Sequence, residues 1–215
     1  MHFISPNSTL GRWLGFLLDA FLISVAWAIC SLPVITLGAA TAALNKVAFN
    51  WMRDRSGCTL MDFFRAFKEN FRSGTGVWLI LLLPLAFILF NAYATWIAMV
   101  QTTSTAQWLI GISAVIWMTV TIYALALQAI FENSPFRTVM NAMRIAASNF
   151  LRTLIVLIIF AVSIGLFILF PLGAMFYTPL CVFLAVRPIW GVFQKVIAMP
   201  EVTVTNQYKI ENEGD

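Results

Sequence analysis

Long apolar segments alternate with short polar ones along the 215 residues of this chain. A helix needs about 20 mostly apolar residues to cross the hydrocarbon core of a bilayer. Five segments come close to or exceed this length and are predicted to span a membrane: residues 14–35, 77–100, 108–131, 154–170 and 173–193. The last two are joined by a tight Pro-Leu-Gly connection, so they should form a hairpin. The pattern predicts an all-α fold, a polytopic membrane helical bundle within residues 1–200, followed by a polar tail at 201–215.

Two polar connections between these segments are predicted to be amphipathic helices. In 59–73, apolar residues from Leu60 to Phe71 recur at helical spacing, and Gly74 suits the end of the helix. In 135–148, Ser134 is a natural N-cap residue and Pro135 fits the first helical position. The residues predicted to form a cytoplasmic partner surface on these helices are Asp62, Phe63, Phe64, Arg65, Phe67, Lys68, Phe136, Arg137, Met140 and Arg144.

Two interpretations of these amphipathic helices remain open at the level of sequence. Each helix can lie in the headgroup layer, with its apolar face toward the acyl chains and its arginines on anionic lipid. Alternatively, each can present its apolar face to a groove on a protein partner.

The stretch "CSLPVITLGAATAALNKV", residues 30–47, combines a proline with a run of small side chains. Pro33 lacks a backbone donor and should kink or end the first span. Small residues let helix backbones approach closely in lipid, so residues 30–47 should be buried against other helices. The candidate packing residues are Pro33, Gly38, Ala39, Ala40, Thr41 and Ala42. Their purpose is either structural or that of a gate in a pathway.

Composition and charge favour a membrane protein and set its orientation. Hydrophobic residues make up 61% of the chain and charged residues only 10%, against about 25% charged residues in soluble domains. The net charge of +4 is concentrated in 46–72 and 132–152, whereas 101–107 carries no charge. The positive-inside rule therefore predicts an external N-terminus and a cytoplasmic C-terminus. This distribution indicates a topological signal and lipid contact rather than a nucleic-acid partner.

The residue types that support catalysis are scarce. The single histidine is His2, and the three cysteines form no C-x-x-C pair. No His/Asp/Glu cluster has metal-ligand spacing, and no Gly-rich phosphate loop or nucleophile motif is present. The sequence predicts a protein that is not an enzyme, with no metal, no cofactor and no catalytic residue.

Four polar residues fall inside the predicted spans, where such residues are candidates for function: Asp19, Asn91, Gln128 and Arg187. Asp19 lies near the outer end of its span, where interfacial water or Arg12 can ease its charge. Asn91 and Gln128 are suited to hydrogen bonds between helices. Arg187 either extends its head group to the cytoplasmic surface or is exposed to protein by a helix break at Pro188.

Three stretches together have a recognisable pattern: "CSLPVITLGAATAAL", "DFFRAFKENFRSGT" at 62–75 and "FENSPFRTVMNAMRIAASNFLRTL" at 131–154. They resemble the YesL family of bacterial membrane proteins, also called the domain-of-unknown-function 624 family, and the likeness extends over about residues 10–195. The family has no established biochemical activity. Its members commonly lie in gene neighbourhoods of carbohydrate ABC importers and glycoside-degrading enzymes, which implies a role beside sugar uptake in the bacterial cytoplasmic membrane.

The leading hypothesis is an accessory or regulatory membrane subunit that binds the permease subunits of a carbohydrate ABC importer through helix–helix contacts. The second is a small autonomous transporter or channel, as a single chain or a homo-oligomer, with a polar cavity reached by Asp19, Asn91 or Arg187. The third is a membrane-bound regulator of sugar uptake that recruits a cytoplasmic protein through residues 53–72.

Overall fold

The computed structural model describes residues 9–54, 60–97, 104–131, 133–170 and 174–197, which are almost entirely helical and form no β-sheet. The predicted all-α fold is confirmed for these residues. The helices are α1 (Thr9–Ser31), α2 (Leu37–Asp54), α3 (Leu60–Ile97), α4 (Ser104–Ile130), α5 (Pro135–Ser148), α6 (Phe150–Leu169) and α7 (Ala174–Ile197), with a short 3-10 turn at Val34–Thr36. The predicted tail at 201–215 and the connection at 171–173 lie outside the described residues.

Two helices are long and apolar enough to cross a membrane: all of α3, and Gln107–Ile130 of α4. Only 17% of the most apolar window of α3 and 28% of that of α4 are buried inside the chain. The pair α5 and α6, bent by 105°, counts as a third if both belong to one broken span. Helices α1 and α7 contain apolar segments that are shorter than a full span, at Leu18–Ser31 and Cys181–Gln194. The structure thus offers two to three candidate spans, and the count of five stays a prediction.

The first span ends near Pro33, where the sequence predicts a kink or an end. Helix α1 stops at Ser31, and α2 begins at Leu37. The Thr36 hydroxyl lies 2.6 Å from the Cys30 carbonyl and 2.9 Å from the Pro33 carbonyl and shares its proton between them. The Cys30 carbonyl thereby gains a donor at the end of α1, where the interrupted helix leaves carbonyls without intrahelical partners.

The expectation that residues 30–47 are buried throughout is wrong for the turn between α1 and α2. Leu32, Pro33, Val34 and Ile35 are exposed. The physical reason is that the turn lies between two packed helices and has no helix face of its own to place against a neighbour. Burial begins with the small residues of α2.

Helix α2 occupies the centre of the bundle and contacts α1, α3, α4 and α7. Six of its side chains are fully buried: Ala39, Ala40, Ala42, Ala43, Leu44 and Ala48. The charge pattern of the sequence predicts a cytoplasmic loop from residue 46 onward, whereas α2 continues as a helix to Asp54. Its small side chains allow four neighbours to approach one helix, so tertiary packing stabilises a segment that lacks a long apolar run.

Helices α2 and α3 pass each other in opposite directions. Gly38 lies beside Gly74 and Trp78, while Lys46, two turns further along α2, lies beside Glu69, which precedes Gly74 on α3. The Trp78 indole N–H also donates to the Val34 carbonyl at 2.7 Å, which ties the start of α2 to α3.

Helix α3 is a single helix of 38 residues, where the sequence indicates two separate ones. The predicted end at Gly74 is absent, and the helix continues through Gly76 and Pro84. Gly74 is needed for packing instead: a Cβ there would lie 3.0 Å from the Ala39 Cα. A glycine costs a helix interior about 1 kcal/mol of propensity, and close contact between two backbones offsets that cost.

Helices α5 to α7 complete the bundle. Helix α5 occupies the residues that the sequence predicts, Pro135–Ser148, and packs against α4 and α3. Helices α6 and α7 lie against each other, and α7 also contacts α1 and α2. Aromatic contacts join α2 to α7, since the Phe49 ring lies 5.9 Å from the rings of both Trp190 and Phe193.

Candidate functional site

A polar pocket lies where α2, α3 and the end of α4 meet. Its volume is about 280 Å³, and it is lined by Lys46, Glu69, Asn70, Ser73, Gln128, Ala129, Ile130, Phe131 and Asn133. On α3 the lining residues come from the turns just before the apolar segment that begins at Val77. The pocket therefore lies where α3 changes from a polar helix to an apolar one.

An ion pair lies at the rim of this pocket. The Lys46 ammonium group donates a hydrogen bond to the Glu69 carboxylate at 2.5 Å, and the two side chains are 23% and 33% exposed. At this exposure solvent screens the pair, so its contribution to stability is about 0–1 kcal/mol. The pair joins α2 to α3, and the formal charges of Lys46 and Glu69 cancel.

Two buried carboxamides lie deeper in the pocket. Gln128 is 3% exposed and Asn70 is 8% exposed. The Gln128 side-chain oxygen accepts a hydrogen bond of 3.1 Å from the Thr138 hydroxyl of α5, and the Asn70 side-chain nitrogen donates one of 2.9 Å to the Ala66 carbonyl. Each carboxamide can make up to four hydrogen bonds. The second polar group of each amide is therefore available to whatever occupies the pocket.

A second polar cluster lies between α4, α6 and α7. The Tyr123 hydroxyl is 3.1 Å from the Thr153 hydroxyl, and the Arg152 guanidinium lies against Gly191, where a Cβ would be 2.5 Å from its Nη1. That Nη1 atom is buried and has no hydrogen-bond partner within the described ranges. Gly191 makes the room for this arginine, which joins α6 to α7.

The two predicted amphipathic helices expose most of their bulky apolar residues and bury a face made largely of smaller or polar ones. On α3 the buried face contains Phe63, Ala66, Asn70 and Gly74. On α5 it is Thr138, Ala142 and Ile145. The exposed apolar side chains, which we call the apolar ridges, are Leu60, Met61, Phe64 and Phe71 on α3, and Phe136, Met140 and Met143 on α5.

The residues predicted for a partner surface are exposed with three exceptions. Phe64 and Phe136 are 45% and 65% exposed, and Met140, Arg65, Lys68, Arg137 and Arg144 are exposed as well. Asp62 and Phe67 are half-buried. Phe63 is wrongly placed by the prediction, because it is fully buried. Its ring stacks on that of Phe67 at 6.3 Å, and it belongs to the face that α3 turns toward the bundle.

The small-residue stretch lies mostly against α3. Gly38, Ala39, Ala40 and Ala42 are buried, and the half-buried Thr41 accepts a hydrogen bond of 3.3 Å from the Trp27 indole. Pro33, the remaining candidate packing residue, is exposed in the turn described above.

The four polar residues predicted inside the spans are not brought together in one site. Gln128 lines the pocket and bonds to a neighbouring helix. Asn91 bonds within its own helix, donating to the Phe87 carbonyl at 2.7 Å. Asp19 is half-buried, and the Arg12 side chain lies outside the described part of the chain. Arg187 is exposed, and the predicted break at Pro188 is absent because α7 is continuous there.

Sequence reasoning misses most of the pocket. Lys46, Glu69, Asn70, Ser73 and Asn133 do not stand out in the sequence, because each is a common polar residue beside a predicted loop. One usable signal is the spacing of Glu69, Asn70 and Ser73, which places three polar groups on neighbouring positions of an otherwise apolar and basic helix. Their convergence with Gln128 depends on tertiary structure.

Residues 20–92 match a family model described as "Protein of unknown function, DUF624". The predicted family resemblance is confirmed. The DUF624 segment contains α2, about half of α1 and most of α3, and hence the Gly38–Gly74 crossing and the Lys46–Glu69 pair. The α4 side of the pocket and the stretch at 131–154 lie outside the matched residues. No curated protein and no solved structure matches this chain.

Proposed function

We propose that this chain is an accessory membrane subunit that binds partner helices of a bacterial carbohydrate ABC importer. It would lie in the cytoplasmic membrane as a multi-pass protein, with its N-terminus outside and its two amphipathic segments in the cytoplasm. The apolar, exposed surfaces of α3 and α4 support membrane insertion. The basic residues of 46–72 and 132–152 support the orientation.

The observation that carries the partner-binding proposal is the exposure of the two apolar ridges. Helix α5 and the first half of α3 are amphipathic, yet the seven large apolar side chains of the ridges lie on the outside, while Phe63 and Ile145 are large ones that are buried. Phe64, Phe71 and Phe136 are typical anchors for a groove on another helix. Aromatic anchors of this kind dominate the binding energy of protein interfaces.

The charges beside the ridges support a protein partner of complementary sign. Arg65 and Lys68 on α3, and Arg137 and Arg144 on α5, are exposed next to the apolar residues. A cationic rim favours a partner surface with carboxylates around an apolar groove, because complementary potentials steer association. The carbohydrate importer is proposed from the family resemblance alone.

The test is co-purification of the tagged full chain from its native membrane in a mild detergent after brief crosslinking. The expected result is recovery of importer permease subunits with the wild-type chain and loss of most of that recovery in Phe64→Ala/Phe136→Ala. The matched control is Phe87→Ala/Phe90→Ala, which truncates two exposed phenylalanines in the apolar part of α3. This control should retain the partner.

Three outcomes would contradict the proposal. The first is recovery of the wild-type chain without any permease subunit. The second is an equal loss of the partner in both double variants. The third outcome combines two results: no protein partner is recovered with the chain, and peptides of residues 59–73 and 135–148 bind anionic vesicles in a salt-dependent way. That combination would show that the ridges bind lipid.

A second candidate function is that of a small autonomous transporter, and the polar pocket favours it. The pocket differs from the cavity expected for this function, because Asp19, Asn91 and Arg187 are not among its lining residues. Solute flux into liposomes that contain only this chain would support a transporter. Absence of flux for every solute that binds the chain would contradict it.

A further inference from the structure

We propose that the pocket between α2, α3 and α4 binds a small neutral polyol. This inference does not depend on the partner proposal, since the pocket is built from Lys46, Asn70 and Gln128 and their neighbours, while the ridges lie on other faces. Three properties of the pocket support it: the charge, the hydrogen-bonding groups and the size.

The charges of the lining favour a neutral ligand. Among the described residues that line the pocket, Lys46 and Glu69 are the charged ones, and they are paired with each other at the rim. An anion would have to compete with Glu69 for Lys46, and a cation with Lys46 for Glu69. A neutral molecule can enter without separating the pair.

The amide groups favour hydroxyl groups on that ligand. Asn70 uses its nitrogen on the Ala66 carbonyl, which leaves its oxygen as an acceptor. Gln128 uses its oxygen on Thr138, which leaves its nitrogen as a donor. Ser73 and Asn133 add further polar groups to the lining. A hydroxyl both donates and accepts, so a molecule with several hydroxyls matches a wall on which donors and acceptors alternate.

The size and the apolar wall complete the match. A volume of about 280 Å³ is close to the lower end of the roughly 300–1,000 Å³ of small-molecule sites. The pocket therefore suits a small ligand, such as a five- or six-carbon polyol. Ala129, Ile130 and Phe131 form an apolar part of the lining, suited to the carbon backbone of such a molecule.

Direct binding of radiolabelled xylitol and sorbitol to the purified full chain tests this inference. Low-millimolar ligand keeps the measurement free of the general stabilisation that concentrated sugars and polyols exert by exclusion from protein surfaces. Glycine and inorganic phosphate serve as zwitterionic and anionic probes. We expect saturable binding of at least one polyol and no saturable binding of glycine or phosphate.

Asn70→Ala and its matched control Asn91→Ala locate the binding site. Both asparagines lie on α3 and donate to the carbonyl four residues earlier, but only Asn70 lines the pocket. Asn70→Ala should weaken polyol binding about tenfold, and Asn91→Ala by less than about twofold. Ser73→Ala, which removes only a hydroxyl from the same wall, gives a second measurement if Asn70→Ala does not fold.

Failure of this inference is distinguishable from failure of the partner proposal. Absence of saturable polyol binding to the wild type, equal effects of Asn70→Ala and Asn91→Ala, or binding of glycine or phosphate in place of polyol would each overturn it. Phe64→Ala/Phe136→Ala should bind polyol like the wild type, whatever happens to its partner.

Discussion

Gly38 of α2 and Gly74 of α3 lie so close that a Cβ on Gly38 would be 2.6 Å from the Gly74 carbonyl oxygen and 2.3 Å from the Trp78 Cβ. Neither neighbour is the far end of a flexible side chain that can move aside cheaply. The crossing of the two helices therefore requires glycine at position 38. It holds the central helix of the bundle against the longest one.

Gly38→Ala should destabilise the protein, because the added methyl group forces α2 and α3 apart. Overpacking of a close contact costs about 1–3 kcal/mol, and we expect the upper half of that range. The matched control is Gly111→Ala, since Gly111 lies in α4 and a Cβ added there would meet no atom within 4 Å. Unfolding in mixed detergent micelles, followed by circular dichroism, measures both variants. Equal stabilities for the two variants would show that the crossing tolerates a side chain.

Trp117 and Pro84 should be energetically coupled. The Trp117 indole N–H of α4 donates to the Leu81 carbonyl at 2.8 Å, in the turn of α3 that precedes Pro84. Pro84 removes the donor to the Ile80 carbonyl, four residues earlier, and its ring disturbs the hydrogen bonds of this turn. Neighbouring groups satisfy loosened carbonyls in lipid-facing helices. Trp117→Phe should cost about 1 kcal/mol in the wild type.

A double-mutant cycle tests this coupling. In a Pro84→Ala background this turn can take regular helical geometry, with the Leu81 carbonyl accepting from the Leu85 N–H, so Trp117→Phe should cost less there, by about 0.5 kcal/mol or more. The Trp27→Phe variant is the control, because its indole bonds to the Thr41 hydroxyl on α2, away from Pro84. Strict additivity of Trp117→Phe and Pro84→Ala would contradict the coupling.

Cysteine labelling should place the N-terminal parts of α3 and α4 on opposite sides of the membrane, as proposed. Lys68→Cys and Thr105→Cys introduce thiols at exposed positions, in a chain from which Cys30, Cys58 and Cys181 have been removed. The positive-inside rule predicts that a membrane-impermeant maleimide reaches Thr105→Cys in intact cells, and Lys68→Cys only after permeabilisation. The reverse pattern would invert the topology and remove the cytoplasmic partner surface.

Part of the fold follows from local sequence alone. Ser134 and Pro135 mark the start of α5, because proline is suited to the first turn of a helix and disfavoured inside it. Pro33 marks the end of α1 for the complementary reason. The same reasoning gives a wrong helix end at Gly74. Glycine often ends a helix, but here Gly74 lies inside a continuous helix, where it makes close contact with α2.

The candidate site is less accessible to sequence reasoning than the helices. Gln128 stands out because it is polar within an apolar segment, and it does line the pocket. Its partners Lys46, Glu69 and Asn70 are ordinary polar residues one by one, and they converge only because α2 and α3 run in opposite directions beside the end of α4.

The sequence by itself determined that the chain is helical, where the apolar segments lie, and that it resembles the DUF624 family. Backbone hydrogen bonding in an apolar environment and long runs of apolar side chains suffice for the first two. Only the tertiary structure decided that α2 is central, that most large apolar side chains of α5 and of the first half of α3 are exposed, and that polar groups from three helices share one pocket. The physical reason is that hydrophobic periodicity reports which face avoids water, while close packing between helices selects for small side chains, and the two criteria need not choose the same face.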